Sequence, residues 1–85
     1  MATTFVTQAE SEIVDFLSRR PTPDEIVAFH LSQEASDRAY ELIALERERR
    51  LSNDEQHELD IYLYLEHFMG MIKIEAHRQL GAQAI

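Results

Sequence analysis

His30, His57, His67 and His77 stand among sixteen acidic residues. Side chains of these types hold metal ions or move protons when their spacing brings them together. Here the spacing does not. No Glu-x-x-His occurs, so the carboxylate–histidine pattern of di-iron bundles is missing. His57-Glu58 opens like a zincin helix, but no histidine follows at the required interval. His67 and His77 are ten residues apart, about three helical turns, and cannot share an ion within one helix. A metal held between two chains, or a small ligand in a helical bundle, is the weakest reading. There is no cysteine, hence no thiolate ligand or nucleophile. No glycine-rich phosphate loop is visible, and no Ser/His/acid order that so short a chain frames in a cleft. The expectation is therefore no catalytic, no metal and no cofactor residue. His67 reads either as a partly buried neutral side chain with one hydrogen bond or as a proton-sensitive contact. Asp54, Glu55, Glu58 and Asp60 read as charge favoured by a helix N-terminus, with docking of a partner's basic residues as a second role.

The elements that position these groups are well punctuated. Thr7-Gln8-Ala9-Glu10, Thr22-Pro23-Asp24-Glu25 and Ser52-Asn53-Asp54-Glu55 each fit a capping box, in which a hydroxyl and a carboxylate satisfy two free amides of a helix start. Ser32 serves as a simpler N-cap, with Glu34 in the first turn. The pattern predicts helices over about 8–19, 23–29, 33–50 and 53–80, with Gly81 at the C′ position. The first five and last three residues are expected to fray. In the third helix Ala35, Ala39, Leu42, Ile43 and Leu45 face inward. Glu34–Arg38 and Glu46–Arg50 are spaced as i,i+4 pairs, and "ERERR" reads as a solvated helix end. "LDIYLYL" alternates and by itself favours a strand. The capped start at Ser52 and the lack of a turn residue before Gly70 favour a helix.

The segment "LDIYLYLEHFMGMIKIE", Leu59 to Glu75, is too apolar for one buried face. At ~100° per residue its apolar positions form two groups. Ile61, Tyr62, Leu65, Phe68, Met69, Ile72, Ala76 and Leu80 make a wide core stripe. Leu63, His67, Gly70 and Ile74, flanked by Tyr64 and Met71, make a second, narrower seam. Gly70 costs ~1 kcal/mol relative to alanine in a helix interior. Either it is a tolerated defect or it admits the close approach of another backbone. The short link at Leu51-Ser52 makes the last two helices an antiparallel hairpin. The fourth helix then overhangs the third by roughly 15 Å. The first helix, with Ile13, Val14, Phe16 and Leu17, is the expected cover. Leu63, Tyr64, His67, Gly70, Met71 and Ile74 remain as the expected partner-binding surface.

Bulk properties agree with a binding role. Eighty-five residues make a single domain, 1–85, that buries only ~60–65% of its unfolded surface. The net charge of −8 repels a phosphate backbone, so direct nucleic-acid binding is not expected. It favours approach to a basic protein. "MATTFVTQAESEIVD" lacks a basic segment followed by an apolar one, so no secretory signal is expected. Glu66, His67 and Lys73 break the apolar run short of a membrane span. A cytoplasmic location follows as the expectation.

The span from Thr22 to Leu80 resembles a family of small bacterial proteins common in cyanobacteria. The resemblance rests on Thr22, Pro23, Glu25, Ile26, Ala28, Phe29 and Ser32; on Leu51, Ser52, Glu55, Glu58, Leu59, Asp60, Tyr62, Leu63, Glu66 and His67; and on Lys73 and Ala76. The first helix lies outside it. Some members of that family are encoded beside small nucleases, so the resemblance implies an antitoxin or adaptor role and assigns no catalytic residue. The combined expectation is an all-α fold: a small bundle built on a long antiparallel helix hairpin, with an N-terminal helix packed on it. It is expected to act as a non-enzymatic protein-binding module, with a basic toxin or nuclease as its partner. A self-associating, homodimeric structural protein is the alternative.

Overall fold

The computed structural model describes residues 6–83, which form four α-helices and no strand. These are α1 (Gln8–Ser18), α2 (Pro23–Ala28), α3 (Gln33–Glu48) and α4 (Asn53–Gln83). The alternating "LDIYLYL" is helical, because a capped start and the helix formers that follow outweigh local strand preference. The expectation of fraying for the first five residues lies outside the described span, as it does for Ala84 and Ile85. Gln83 is the last residue of α4.

All three capping boxes form. Glu10 donates its amide to the Thr7 hydroxyl at 3.1 Å, and its carboxylate accepts from the Thr7 amide at 2.9 Å. Thr22 and Glu25 repeat this at 3.2 and 2.9 Å. Ser52 and Glu55 do so at 3.1 and 2.8 Å. Pro23 occupies the first turn of α2, where a missing N–H costs nothing.

The ends depart from the sequence reading more than the starts do. Gly81 does not terminate α4. The helix runs through it, and no glycine has a positive φ. Gly81 is exposed with nothing near its missing Cβ, so neither packing nor strain demands a left-handed cap. α3 stops at Glu48 instead of residue 50, because Arg49 turns extended and reaches forward to Glu55. Its guanidinium donates twice to that carboxylate, both at 2.9 Å. The Glu46–Arg50 pair is thereby lost. Arg38 likewise bypasses Glu34. It forks onto Glu58 of α4 at 2.7 and 3.1 Å and also donates to Glu41. A fork onto a carboxylate in a neighbouring helix offers two parallel bonds that a single i,i+4 contact does not. At the end of α1, Arg20 takes φ 55°, a left-handed conformation that costs a residue with a Cβ about 1 kcal/mol.

α4 is the spine. Each of the other helices packs on it, α2 most extensively. The sequence points to α1 as the cover of the part of α4 that overhangs α3, and assigns no such role to α2. A six-residue helix is too short to display a periodic face, which is why the helix predicted at 23–29 does not read as a cover of α4. Ile26, Val27 and Phe29 are half-buried. Phe29 stacks on Phe16 of α1 at 4.3 Å between ring centroids, and its carbonyl accepts from Lys73 Nζ at 2.7 Å. In α1 the side chain of Ile13 is buried, and those of Phe16 and Leu17 half so. Val14 turns outward, 68% exposed, so it is not part of the cover.

The core is thin. Its buried apolar residues are Ala9, Ile13, Ala35, Ala39, Leu42, Leu51, Leu59, Met69 and Ala76. Four of these nine are alanines, which let helices approach closely but bury little area each. Leu42, Leu51 and Leu59 form the one larger cluster, flanked by Ile43 and Leu45. The wide stripe of α4 is buried or half-buried throughout. The molecule is long, 53 × 33 × 18 Å. Its surface of 6494 Å² exceeds the ~5200 Å² usual for a compact chain of this mass.

Carboxylates act as joints. Glu12 of α1 accepts from the amide of Ser32 at 2.8 Å, from the Ser32 hydroxyl, and from Gln8 at 2.8 Å. Ser32 is the N-cap of α3, so one helix anchors the start of another. Desolvation pushes the Glu12 carboxyl up, but the bonds from Ser32 and Gln8 together outweigh it and hold it below the usual range. The Glu55 carboxyl is pulled down to about 2, first by Arg49 and then by the Ser52 amide.

The Glu12 and Glu55 carboxyls are both depressed in the folded chain. Their stabilisation is therefore complete above the ordinary carboxylate range near 4.5 and drains away as pH falls toward 2. Thermal melts followed by circular dichroism should show the midpoint dropping below pH 4.5, and Glu12→Gln with Glu55→Gln should flatten that acid limb. Arg20→Gly should raise stability by ~0.5–1 kcal/mol in urea unfolding, because glycine takes positive φ without steric cost.

Candidate protein-binding face

The capped start at Ser52 and the absence of any proline beyond it carry α4 past α3. Thirty-one residues span roughly 46 Å, against roughly 24 Å for the sixteen of α3. The neighbours of α4 all pack on its wide stripe. On the opposite side Leu63 is 51% exposed, Tyr64 63%, Met71 48% and Ile74 71%. His67 lies between them and is also exposed. These five residues fall within an arc of roughly 100° around the helix axis. Tyr64 rests beside Phe68, with ring centroids 6.4 Å apart.

Gly70 adjoins this arc and is half-buried. A Cβ built there meets nothing within 4 Å. No backbone of the chain itself makes use of the gap. Beside it runs a groove of about 170 Å³ between α4 and the connector after α2, lined by Phe29, His30, Leu31, Glu66, Met69, Gly70 and Lys73.

Charged groups mark the two ends of the face. Asp60 is exposed and accepts from Gln56 at 2.9 Å. Arg78 is exposed and bonded to Glu75 of the preceding turn. Hydrogen bonding to Arg78 lowers the Glu75 carboxyl, and the same contact raises the guanidinium. Between Asp60 and Arg78 the face is apolar except for His67.

A second concavity, about 160 Å³, lies where α1, α3 and α4 meet. Thr7, Ala9, Ala35, Ala39 and Leu42 form its floor, and Gln8, Arg38, Glu58 and Tyr62 its rim. The sequence reading missed it, because it depends on where α1 docks. It also missed the Glu12–Ser32 joint and the Lys73–Phe29 bond, whose partners are 20 and 44 residues apart. The four histidines are all exposed. Among the described residues no three His, Asp or Glu side chains converge as an ion would require. No helix among them is long and apolar enough to cross a membrane.

No family model matches the chain, and comparisons with curated proteins and with solved structures find no match either.

Gly70→Ala should raise stability by ~1 kcal/mol, since the added methyl meets open space and helix propensity improves. For a chain of this size the melting midpoint should climb by roughly 4–8 °C, read by circular dichroism at low protein concentration.

Proposed function

We propose that this chain is a non-enzymatic protein-binding module and that the outer face of α4 is its contact surface. The carrying observation is the exposure of Leu63, Tyr64, Met71 and Ile74 together on one side of a helix whose other side is already packed. Large apolar side chains scattered singly on a surface need no explanation, but a contiguous group on one helix face does. The face matches the helix-in-groove mode of recognition, in which a row of apolar anchors at helical spacing enters a partner. Within this reading α3 and α4 form an antiparallel hairpin in one domain. The Arg49–Glu55 clamp at the turn and the Leu42–Leu59 contact above it support that arrangement.

The chemistry of the partner follows from charge. Eight excess acids favour a basic protein over nucleic acid. Together with the family resemblance over Thr22 to Leu80, this supports an antitoxin or adaptor that holds a basic toxin or nuclease in the bacterial cytoplasm.

The test is a pull-down of the product of the neighbouring gene by the full chain and by its Ile74→Glu and Gly70→Leu variants. Both substitutions spare the packed stripe, so helix content should persist. Capture should fall at least ~10-fold for each, as expected when a central anchor is lost. Undiminished capture by both variants sinks the assignment of this face.

A further inference from the structure

The identity of the occupant can be read further, on the assumption that the outer face of α4 is a contact surface at all. Asp60, Tyr64, His67, Met71, Ile74 and Arg78 are all exposed and recur at alternating steps of four and three residues. That spacing keeps one seam turned toward a partner helix. The seam is also symmetric. Asp60 with Arg78, Tyr64 with Ile74, and His67 with Met71 are each centred on Met69. When two copies of α4 lie antiparallel about a two-fold axis at the level of Met69, Tyr64 of each meets Ile74 of the other. His67 meets Met71, and Asp60 meets Arg78 at both ends. In a parallel pair the same seam sets Asp60 against Asp60 and Arg78 against Arg78, two like-charge contacts that disfavour it.

We propose that a second copy of this chain occupies the outer face of α4, in an antiparallel, two-fold pair centred on Met69. The end residues have capacity to spare. Asp60 accepts one bond from Gln56 and keeps further lone pairs. Arg78 holds Glu75 through Nε and one terminal nitrogen, and its side chain is 67% exposed. Gly70 lies one residue from the axis with open space at its Cβ, so nothing of the chain's own blocks close approach of the partner helix. Such a contact is self-complementary, as a two-fold interface requires.

Sedimentation of the full chain across a micromolar dilution series should show a monomer–dimer equilibrium. Asp60→Arg alone and Arg78→Asp alone should each raise the dissociation constant at least ~5-fold, and the two together should restore it to within ~3-fold of the parent, the coupling expected of facing charges. His67→Leu should tighten the dimer by exchanging a polar seam residue for an apolar one. With no native cysteine, Gly81→Cys takes a single spin label per chain. The antiparallel pair puts the two labelled positions about 36 Å apart along the axis, whereas a parallel pair brings them near the ~10 Å helix separation. Should a charge swap fail to fold, the label distance decides. A monomer at the highest concentration overturns the proposal, as does a double swap that recovers nothing or a short label distance. A monomer that still captures a foreign protein through Ile74 overturns only this inference and leaves the protein-binding reading standing.

Discussion

A single helix carries apolar side chains around most of its circumference, and the rest of the chain is too short to cover them. α4 has thirty-one residues, while its neighbours have eleven, six and sixteen. Those three pack on α4 and scarcely on one another. Each takes a sector of the wide stripe, and together they exhaust it. The result is an elongated body in whose core four of nine buried apolar residues are alanine and whose spine remains apolar on the far side. Small domains in general have little core to spare. Here the shortage has a direction: Val6, Val14 and Tyr40 are exposed singly, while Leu63, Tyr64, Met71 and Ile74 share one arc of one helix.

With so little apolar area to hold α1, α2 and α3 in place, polar joints fix their positions. Glu12 reaches from α1 to the cap of α3, and Lys73 reaches from α4 to the carbonyl that ends α2. Arg38 and Arg49 each fork onto a carboxylate of α4. Most of these contacts are partly solvated, so each contributes modestly to stability. Their geometric effect is larger: bidentate and charge-assisted bonds restrict orientation as well as distance. Glu12, Glu55 and Glu58 are therefore committed to joints between elements. The carboxylates of Asp54, Asp60 and Glu66 are exposed, and of these Asp60 lies on the outer arc of α4.

The helix starts were legible because a capping box is written within four residues. Thr7–Glu10, Thr22–Glu25 and Ser52–Glu55 could be read without any tertiary knowledge. The two sides of α4 were legible for the same reason, since periodicity along one helix needs no partner to be seen. Its ends were not. Whether Gly81 stops a helix depends on whether anything favours a left-handed residue there, and nothing near it does. Arg49 left its helix for a carboxylate six residues ahead, a competition that pair spacing does not register. The role of α2 was hidden by its length, and Glu12 looked like one more surface acid until Ser32 was placed beside it. Val14 shows the limit within a single helix: Ile13, Val14, Phe16 and Leu17 suggested a face, but only the docking of α1 decided which of them lay on it.

The same charge that favours a basic partner opposes the meeting of two copies, since each brings −8. That repulsion is long-range and exposed, so physiological salt screens it beyond about 8 Å. Asp60 and Arg78 would act within that distance, at direct contact, where screening is weakest. Orientation is therefore set by the short-range pattern of the seam and not by the overall charge, which is the same for parallel and antiparallel copies. Burial of Tyr64, Met71 and Ile74 adds apolar contact at the middle, where no net charge intrudes. Association of this kind also stabilises the fold by mass action, because only the folded helix presents the seam. A thin core and an uncovered helix face then have one common remedy, and the chain becomes more stable as its surface is put to use.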